Sequence, residues 1–148
     1  MNATGGRVLI VDDDAASREL LETRLGALNC DVEMAADGRQ ALAAVRREPL
    51  SVMLLDLQMP GMDGMEVLQA LRQDGIDIPV IVITAHGSIE SAVAAMKQGA
   101  YDFILKPFDP KHLEIVVRKA LERENLKREI EVLSEEVDRR YQLVVGKS

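Results

Sequence analysis

The chain has 148 residues, of which 47% are hydrophobic and 29% are charged, a balance typical of one globular domain that excludes disorder over the whole length. Its net charge of -7 lies entirely within residues 1–108, which carry 16 acidic and 9 basic side chains. This acidic part, in a chain with no Trp, two Tyr and two Phe, argues against direct nucleic-acid binding and favours cations and basic partners.

Metal sites built on thiolates or imidazoles are also excluded. Cys30 is the single cysteine and is expected to be a reduced core residue, while His86 and His112 cannot make a zinc site by themselves. Residues 1–6 show no apolar signal region, and no apolar stretch reaches the length of a membrane span. We therefore expect a flexible N-terminus, no membrane contact and a cytoplasmic location.

Strand patterns recur five times along the chain. Three nearly continuous apolar runs, at 7–12, 51–56 and 78–84, predict strands buried on both faces. The partly alternating runs at 30–35 and 101–106 predict half-exposed edge strands.

Helical patterns lie between these runs. Their predicted inward faces are Ala16, Leu20, Leu21, Leu25 and Leu28; Ala41, Leu42 and Val45; Val67, Leu68 and Leu71; and Ile89, Ala92, Val93 and Met96. The predicted N-caps are Asp14, Asp37, Asp63 and Ser88. This repeat predicts an α/β fold, a five-stranded parallel sheet of order 2-1-3-4-5 with helices on both faces.

Acidic side chains end the strands that this order places side by side. Asp12 and Asp13 end the first strand and Asp56 ends the third, at the reversal of winding where such sheets bind ligands. Three carboxylates in one crevice need a bound cation or a raised pKa, and an oxygen-only ligand set favours Mg²⁺. Thr84 and Lys106 close the two neighbouring strands at the same edge. The set suits in-line attack on phosphorus, with Asp56 as the nucleophile.

Four segments together resemble the receiver domain of bacterial response regulators. They are VLIVDDD at 8–14, MLLDLQMPGMDG at 53–64, VITAHG at 82–87 and FILKPF at 103–108. The resemblance covers about residues 7–120. It implies a flavodoxin-like fold that accepts a phosphoryl group from a sensor histidine kinase and passes a conformational change to an output domain.

The resemblance also implies roles for the matched residues. Asp13 matches a direct Mg²⁺ ligand, and Asp12 matches a partner that acts through water. Asp56 matches the phosphoacceptor, which is also a ligand, and the main-chain carbonyl of Gln58 matches the third protein ligand of the metal. Thr84 and Lys106 match the pair that contacts the phosphoryl group, and Tyr101 matches the aromatic switch. The Lys106–Pro107 peptide bond matches one that is usually cis in this family. Such a domain catalyses only its own phosphorylation and dephosphorylation.

Simpler roles remain open at several of these positions. Asp14 is expected to cap a helix rather than bind metal. Tyr101 is either a switch or an edge residue held by packing. His86 either borders the site or lies in a solvated loop.

A helical pattern begins at Asp109, which is followed by Pro110, and continues to about Tyr141, longer than the last helix of a receiver needs. Its early apolar residues are expected to pack on the sheet and its later ones to form a coiled-coil seam with 4-3-4 spacing. The residues expected to pack on the sheet are Leu113, Val117 and Ala120. The residues expected to form the seam are Leu126, Ile130, Leu133 and Val137. We expect a homodimer that uses the seam and the face of the fourth helix, fifth strand and fifth helix; the alternative is a solvated helix without a partner.

The segments RENLKREIEVL at 123–133 and YQLVVGKS at 141–148 resemble the linker and opening residues of the ATPase of sigma-54-dependent activators. The expected organisation is a flexible 1–6, a receiver at 7–120 and a helical linker at 121–148. The Gly146–Ser148 ending is not a phosphate-binding loop, because that motif needs Gly at position 141. Nucleotide binding is therefore not expected.

Two other functions compete with the phosphorylated switch. One is a Mg²⁺-dependent phosphatase with Asp12 as nucleophile and Asp14 as acid, which leaves Asp56 without a role and lacks a cap domain to enclose a substrate. The other is a dimerisation module that works without phosphorylation. The sequence also leaves open whether the receiver represses or activates its output domain.

Overall fold

The computed structural model describes residues 5–59, 61–85 and 89–145, with side chains as far as residue 140. Strands and helices alternate along the chain. They are β1 Arg7–Val11, α1 Ala15–Leu25, β2 Asp31–Ala35, α2 Gly38–Arg47, β3 Val52–Asp56, α3 Gly64–Gln73, β4 Val80–Ala85, α4 Ile89–Lys97, β5 Asp102–Lys106 and α5 Pro110–Val145.

The five strands form one parallel sheet with the order β2-β1-β3-β4-β5, which confirms the predicted order. Val11 pairs with Leu55 in the register of β1 with β3, so the carboxyl ends of the two strands lie side by side. On the other side of β3, β4 pairs with β5 and brings Ala85 opposite Lys106. All these strand ends therefore meet at one edge, called here the carboxyl edge; the opposite edge is called the N-terminal edge.

Helices cover both faces of the sheet. Helices α2, α3 and α4 pack on one face, and α1 and α5 pack on the other. The inward residues predicted for α3, Val67, Leu68 and Leu71, are all fully buried. In α2, Ala41 and Leu42 are buried as predicted. No helix within the described residues is long and apolar enough to cross a membrane.

The predicted inward faces of α1 and α4 are partly wrong. Helix α1 buries Leu21 and Leu25 but leaves Leu20 about half exposed. Helix α4 contacts the core through small residues, Ala92 and Ala95, which let it approach the sheet closely. Its large residues face outward instead, namely Ile89, Val93 and Met96.

Three of the four predicted N-cap residues lie at the start of a helix, and two of them cap it with their side chains. The Asp37 carboxylate accepts from the main-chain N of Gln40, and Asp63 forms a reciprocal capping box with Glu66. Asp14 is the N-cap residue of α1, as predicted, but its carboxylate makes no capping hydrogen bond. Ser88 lies outside the described residues.

Helix α5 begins at Pro110 as predicted, and the Asp109 carboxylate accepts from the main-chain N of Lys111. Its first turns are anchored in the core, since Leu113, Val117 and Ala120 are completely buried. The stripe Leu126, Ile130, Leu133 and Val137, called here the seam, is 56 to 63% exposed.

Candidate functional site

Three carboxylates converge at the carboxyl edge of the sheet. Asp12 and Asp13 directly follow β1, and Asp56 is the last residue of β3. Oxygens of the three groups lie within 4.8 Å of one another. Asp12 is 1% exposed and Asp56 is 5% exposed, whereas Asp13 is exposed. The structure therefore brings together the three acidic residues that the sequence selected.

Main-chain donors orient two of these carboxylates. The N–H of Asp14 donates to Asp12 Oδ1, and the N–H of Gln58 donates to Asp56 Oδ1, both at 2.9 Å. Arg18, one turn into α1, donates from Nη1 to the main-chain oxygen of Asp12 at 2.7 Å. These bonds fix the turn after β1 and the turn after β3, and each oriented carboxylate keeps its Oδ2 for other contacts.

A lysine faces the two buried carboxylates. Lys106, at the end of β5, has its Nζ 3.6 Å from Asp56 Oδ2 and 3.7 Å from Asp12 Oδ2. Both distances are longer than a hydrogen bond, so the ammonium attracts both oxygens without binding tightly to either.

Thr84, in β4, is fully buried beside this group of strand ends. Its Oγ1 has no hydrogen-bond partner among the described residues, and the same is true of Asp12 Oδ2. A buried polar atom without a partner is costly, so each of these two atoms is suited to a ligand that supplies one.

The pKa of Asp56 is raised above the ordinary Asp value. Burial is the main cause, and the charges of Asp12 and Asp13 add to it. The hydrogen bond from Gln58 and the charge of Lys106 act in the opposite direction. A divalent cation among the carboxylates would favour the ionised form, the form that acts as a nucleophile.

Tyr101, which the resemblance matches to the aromatic switch, does not lie beside Thr84. Tyr101 precedes β5 at the N-terminal edge, where its N–H donates to the oxygen of Val80. Leu105, which pairs with Thr84, lies four residues further along, about 13 Å at the rise of an extended strand. The Tyr101 ring instead contacts Arg123 of α5, with the guanidinium carbon 5.5 Å from the ring centroid.

Phe103 is the aromatic residue that the sequence analysis missed. It pairs with Val82, two residues before Thr84, and packs against the same face of the sheet as α4. Residues two apart on neighbouring strands are diagonal neighbours, close enough for an aromatic ring to reach. The alternation of the strand was the available signal, since Phe103 and Leu105 share a face and Leu105 pairs with Thr84.

Other predicted residues have mixed outcomes. The Lys106–Pro107 peptide bond is cis, as predicted. Cys30 is partly exposed and packs at the margin of the core on the α1 and α5 side. His86 lies outside the described residues.

The fold and the acidic site define a class of regulatory domain, and comparison with known proteins identifies the family. Residues 8–118 match the family model of the response regulator receiver domain. The chain belongs to this family. Receiver domains bind Mg²⁺ at an acidic pocket, partner with histidine kinases and often dimerise.

Curated relatives include two regulatory proteins, each longer than this chain. The chain is 43% identical over 117 residues to the probable transcriptional regulator ycf27 of Porphyridium aerugineum. The matched region covers 79% of this chain and 48% of that relative. It is 36% identical over 142 residues to the regulatory protein LuxO of Vibrio cholerae. The matched region covers 94% of this chain and 30% of that relative. The chain therefore spans less than half the length of these relatives.

Solved structures give the same result. The receiver domain of NtrX from Brucella abortus has a TM-score of 0.74 and 37% identity, covering 78% of this chain and 98% of that one. A longer NtrX structure from the same organism, in complex with ADP, has a TM-score of 0.79 and 37% identity, covering 87% of this chain and 30% of that one.

Proposed function

We propose that this chain is the phosphorylation-controlled switch of a two-component response regulator and accepts a phosphoryl group on Asp56 from a sensor histidine kinase. One arrangement carries the proposal: Lys106 Nζ lies 3.6 Å from Asp56 Oδ2, and Asp12 and Asp13 crowd the same carboxylate. An ammonium and an acidic pocket around one nucleophile suit a phosphoryl group and a metal ion together. The domain is regulatory, and its chemistry is limited to its own phosphorylation and dephosphorylation.

The proposed cofactor is Mg²⁺, held by Asp12, Asp13, Asp56 and the main-chain carbonyl of Gln58. The donor set fits, because it offers only oxygen ligands and includes Asp12 Oδ2, which has no hydrogen-bond partner among the described residues. When bound, the ion neutralises charge on the carboxylates and on the phosphoryl oxygens.

The proposed reaction is a direct displacement at phosphorus. An oxygen of Asp56 forms a bond to phosphorus while the bond from phosphorus to an imidazole nitrogen of the kinase breaks. That nitrogen keeps the electron pair and takes up a proton. Lys106 stabilises the phosphoryl charge, and the Gln58 N–H holds Asp56 in position for attack.

The proposed switch begins at Thr84, whose buried Oγ1 has no hydrogen-bond partner in the described part of the chain and can donate to a phosphoryl oxygen on Asp56. Movement of Thr84 toward Asp56 opens space beside its diagonal neighbour Phe103, which we propose in place of Tyr101 as the aromatic residue that responds. Because Phe103 packs on the α4 side, its movement changes the surface made by α4, β5 and α5.

The proposed output is a homodimer that controls a sigma-54-dependent ATPase outside this chain. Exposed large aliphatic side chains support the dimer, because they occur both on the face made by α4, β5 and α5 and along the seam. The match to LuxO extends beyond residue 118, where the family model ends, which supports residues 121–148 as a linker rather than part of the receiver. A cytoplasmic location is part of this proposal.

Intact-mass measurement after incubation with acetyl phosphate tests the proposed function. We expect a gain of one phosphoryl group that requires Mg²⁺ and is abolished by excess EDTA. Asp56→Asn should remove the gain completely, whereas the matched control Asp74→Asn, an exposed Asp at the end of α3, should retain it. Light scattering on the same samples reports whether association changes.

Two outcomes would overturn the proposal. Phosphorylation that persists in Asp56→Asn would assign the nucleophile to another residue. A folded protein that gains no mass at any Mg²⁺ concentration would favour the dimerisation module that works without phosphorylation.

A further inference from the structure

Helix α5 still contacts the receiver after Leu121, the last buried residue among the helix side chains that the structure describes. Three cationic side chains of the next two turns reach the N-terminal edge of the sheet. Arg123 lies over the Tyr101 ring, Lys127 Nζ is 3.0 Å from Asp77 Oδ2, and Arg128 Nη2 donates to Ser51 Oγ at 3.3 Å. These three pairs are called here the latch.

The receiver side of the latch is held in place by its own hydrogen bonds. Arg72 donates to the main-chain oxygens of Ile76 at 3.0 Å and Gly99 at 2.7 Å, which ties together the loops that carry Asp77 and Tyr101. Ser51 is 2% exposed, and its Oγ also accepts from the N–H of Arg7 at 3.1 Å. The helix therefore docks on an organised surface rather than on mobile loop ends.

Charge at the latch is complementary. The pKa of Asp77 is lowered, chiefly by the hydrogen bond and charge of Lys127, with smaller effects from Arg72 and Arg123. The pKa of Lys127 is raised, chiefly by Asp77 and then by Glu124. Each group thus favours the charged form of the other.

Helical geometry decides where the seam points when the latch is closed. At 3.6 residues per turn, the seam residues centre about 140° around the helix from the buried stripe Leu113, Val117 and Ala120. Lys127 and Arg128 lie within about 55° of that stripe, and Arg123 lies between the stripe and the seam. Closing the latch therefore turns the seam away from its own domain, consistent with its 56 to 63% exposure.

We propose that the N-terminal edge is a docking platform that fixes the rotation and exit direction of α5 and so presents the seam to a second copy of the chain. The latch gives Tyr101 a role in positioning the helix. The presentation step rests on the proposed dimer, whereas the docking itself does not.

Hydrogen exchange followed by mass spectrometry tests the docking. The measurement uses the full chain carrying Ile130→Glu, which removes seam pairing, without Mg²⁺ or phosphoryl donor. We expect Asp77→Asn or Tyr101→Leu to speed exchange at 122–130 about two- to five-fold each. Asp74→Asn is the matched control: it removes an exposed 2.8 Å ion pair with Arg46 that does not involve α5 and should leave this exchange unchanged.

Equal exchange in the Asp77→Asn protein and its Asp74→Asn control would overturn the docking. Sedimentation equilibrium of the same latch variants with Ile130 intact tests presentation. A dimer weakened about two- to ten-fold supports it, and an unchanged dimer overturns it. A wild-type chain that stays monomeric would refute the proposed dimer and the presentation step, while the exchange data would still decide whether the latch exists.

Discussion

At the carboxyl edge of the sheet, Asp12 and Asp56 are almost completely buried, cluster with Asp13, and both face the ammonium of Lys106. At the N-terminal edge, the side chain of Asp77 is 82% exposed and pairs with a lysine of α5. The first arrangement concentrates charge in a place shielded from water, which makes each group sensitive to a bound ion or phosphoryl group. The second uses solvated contacts that are worth little individually and that together orient a helix.

Lys106→Gln should have the largest effect of a substitution that spares the nucleophile. It removes the ammonium that faces Asp12 and Asp56, and loss of one such stabilising group costs about 10²- to 10³-fold in rate. The rate of mass gain from acetyl phosphate measures this effect. Lys97→Gln, an exposed change at the end of α4, is the control, and an equal loss in both proteins would contradict the assigned role.

Ile130→Glu tests the seam of α5, the helix that docks on the N-terminal edge. It should weaken the dimer about 10- to 100-fold, which corresponds to the free energy of burying one large aliphatic side chain. Val132→Glu is its control, because Val132 is 59% exposed but lies off the seam. Sedimentation equilibrium distinguishes them. Equal weakening by both changes would indicate non-specific association in place of a seam.

Asp56→Asn should raise the stability of the metal-free protein at neutral pH. The folded-state pKa of Asp56 is raised, so its ionisation costs stability as pH rises from the ordinary Asp value of 3.8 through the folded-state value. The difference from wild type should vanish below about pH 3.8, and saturating Mg²⁺ should offset it by stabilising wild type. Urea unfolding across pH measures the difference, and a variant less stable than wild type at pH 7 would contradict the raised pKa of Asp56.

Thr84→Val should have the smallest effect on stability, within about 1 kcal/mol, because the hydroxyl it removes has no partner among the described residues. The variant should still be phosphorylated but should lose the change in association that follows. Urea unfolding and light scattering check the two parts. A large loss of stability would show that Thr84 Oγ1 already makes a bond in the resting protein.

Much of the carboxyl edge was predictable because it depends on topology. Apolar runs of strand length, each ending in a polar residue, place Asp12, Asp56, Thr84 and Lys106 at one edge once the strands are parallel. The outward face of α4 was not predictable from amphipathicity alone, because Ala95 rather than a larger residue makes the contact with the core.

The N-terminal edge was much harder to predict. Its contacts join α5 to loops far away in the chain, as Arg128 and Ser51 show, and no local periodicity reports such pairs. Tyr101 was misassigned because its distance from Thr84 depends on the register of β5 with β4, which fixes which aromatic shares a face with the site.

Locating the phosphoryl group tests the central claim most directly. After reaction with acetyl phosphate and Mg²⁺, borohydride reduction converts a phosphorylated aspartate to homoserine, and peptide mass spectrometry identifies the position. The account predicts reduction at residue 56 alone. Reduction at residue 12 would contradict it and assign the chain to the phosphatase chemistry in which Asp12 is the nucleophile.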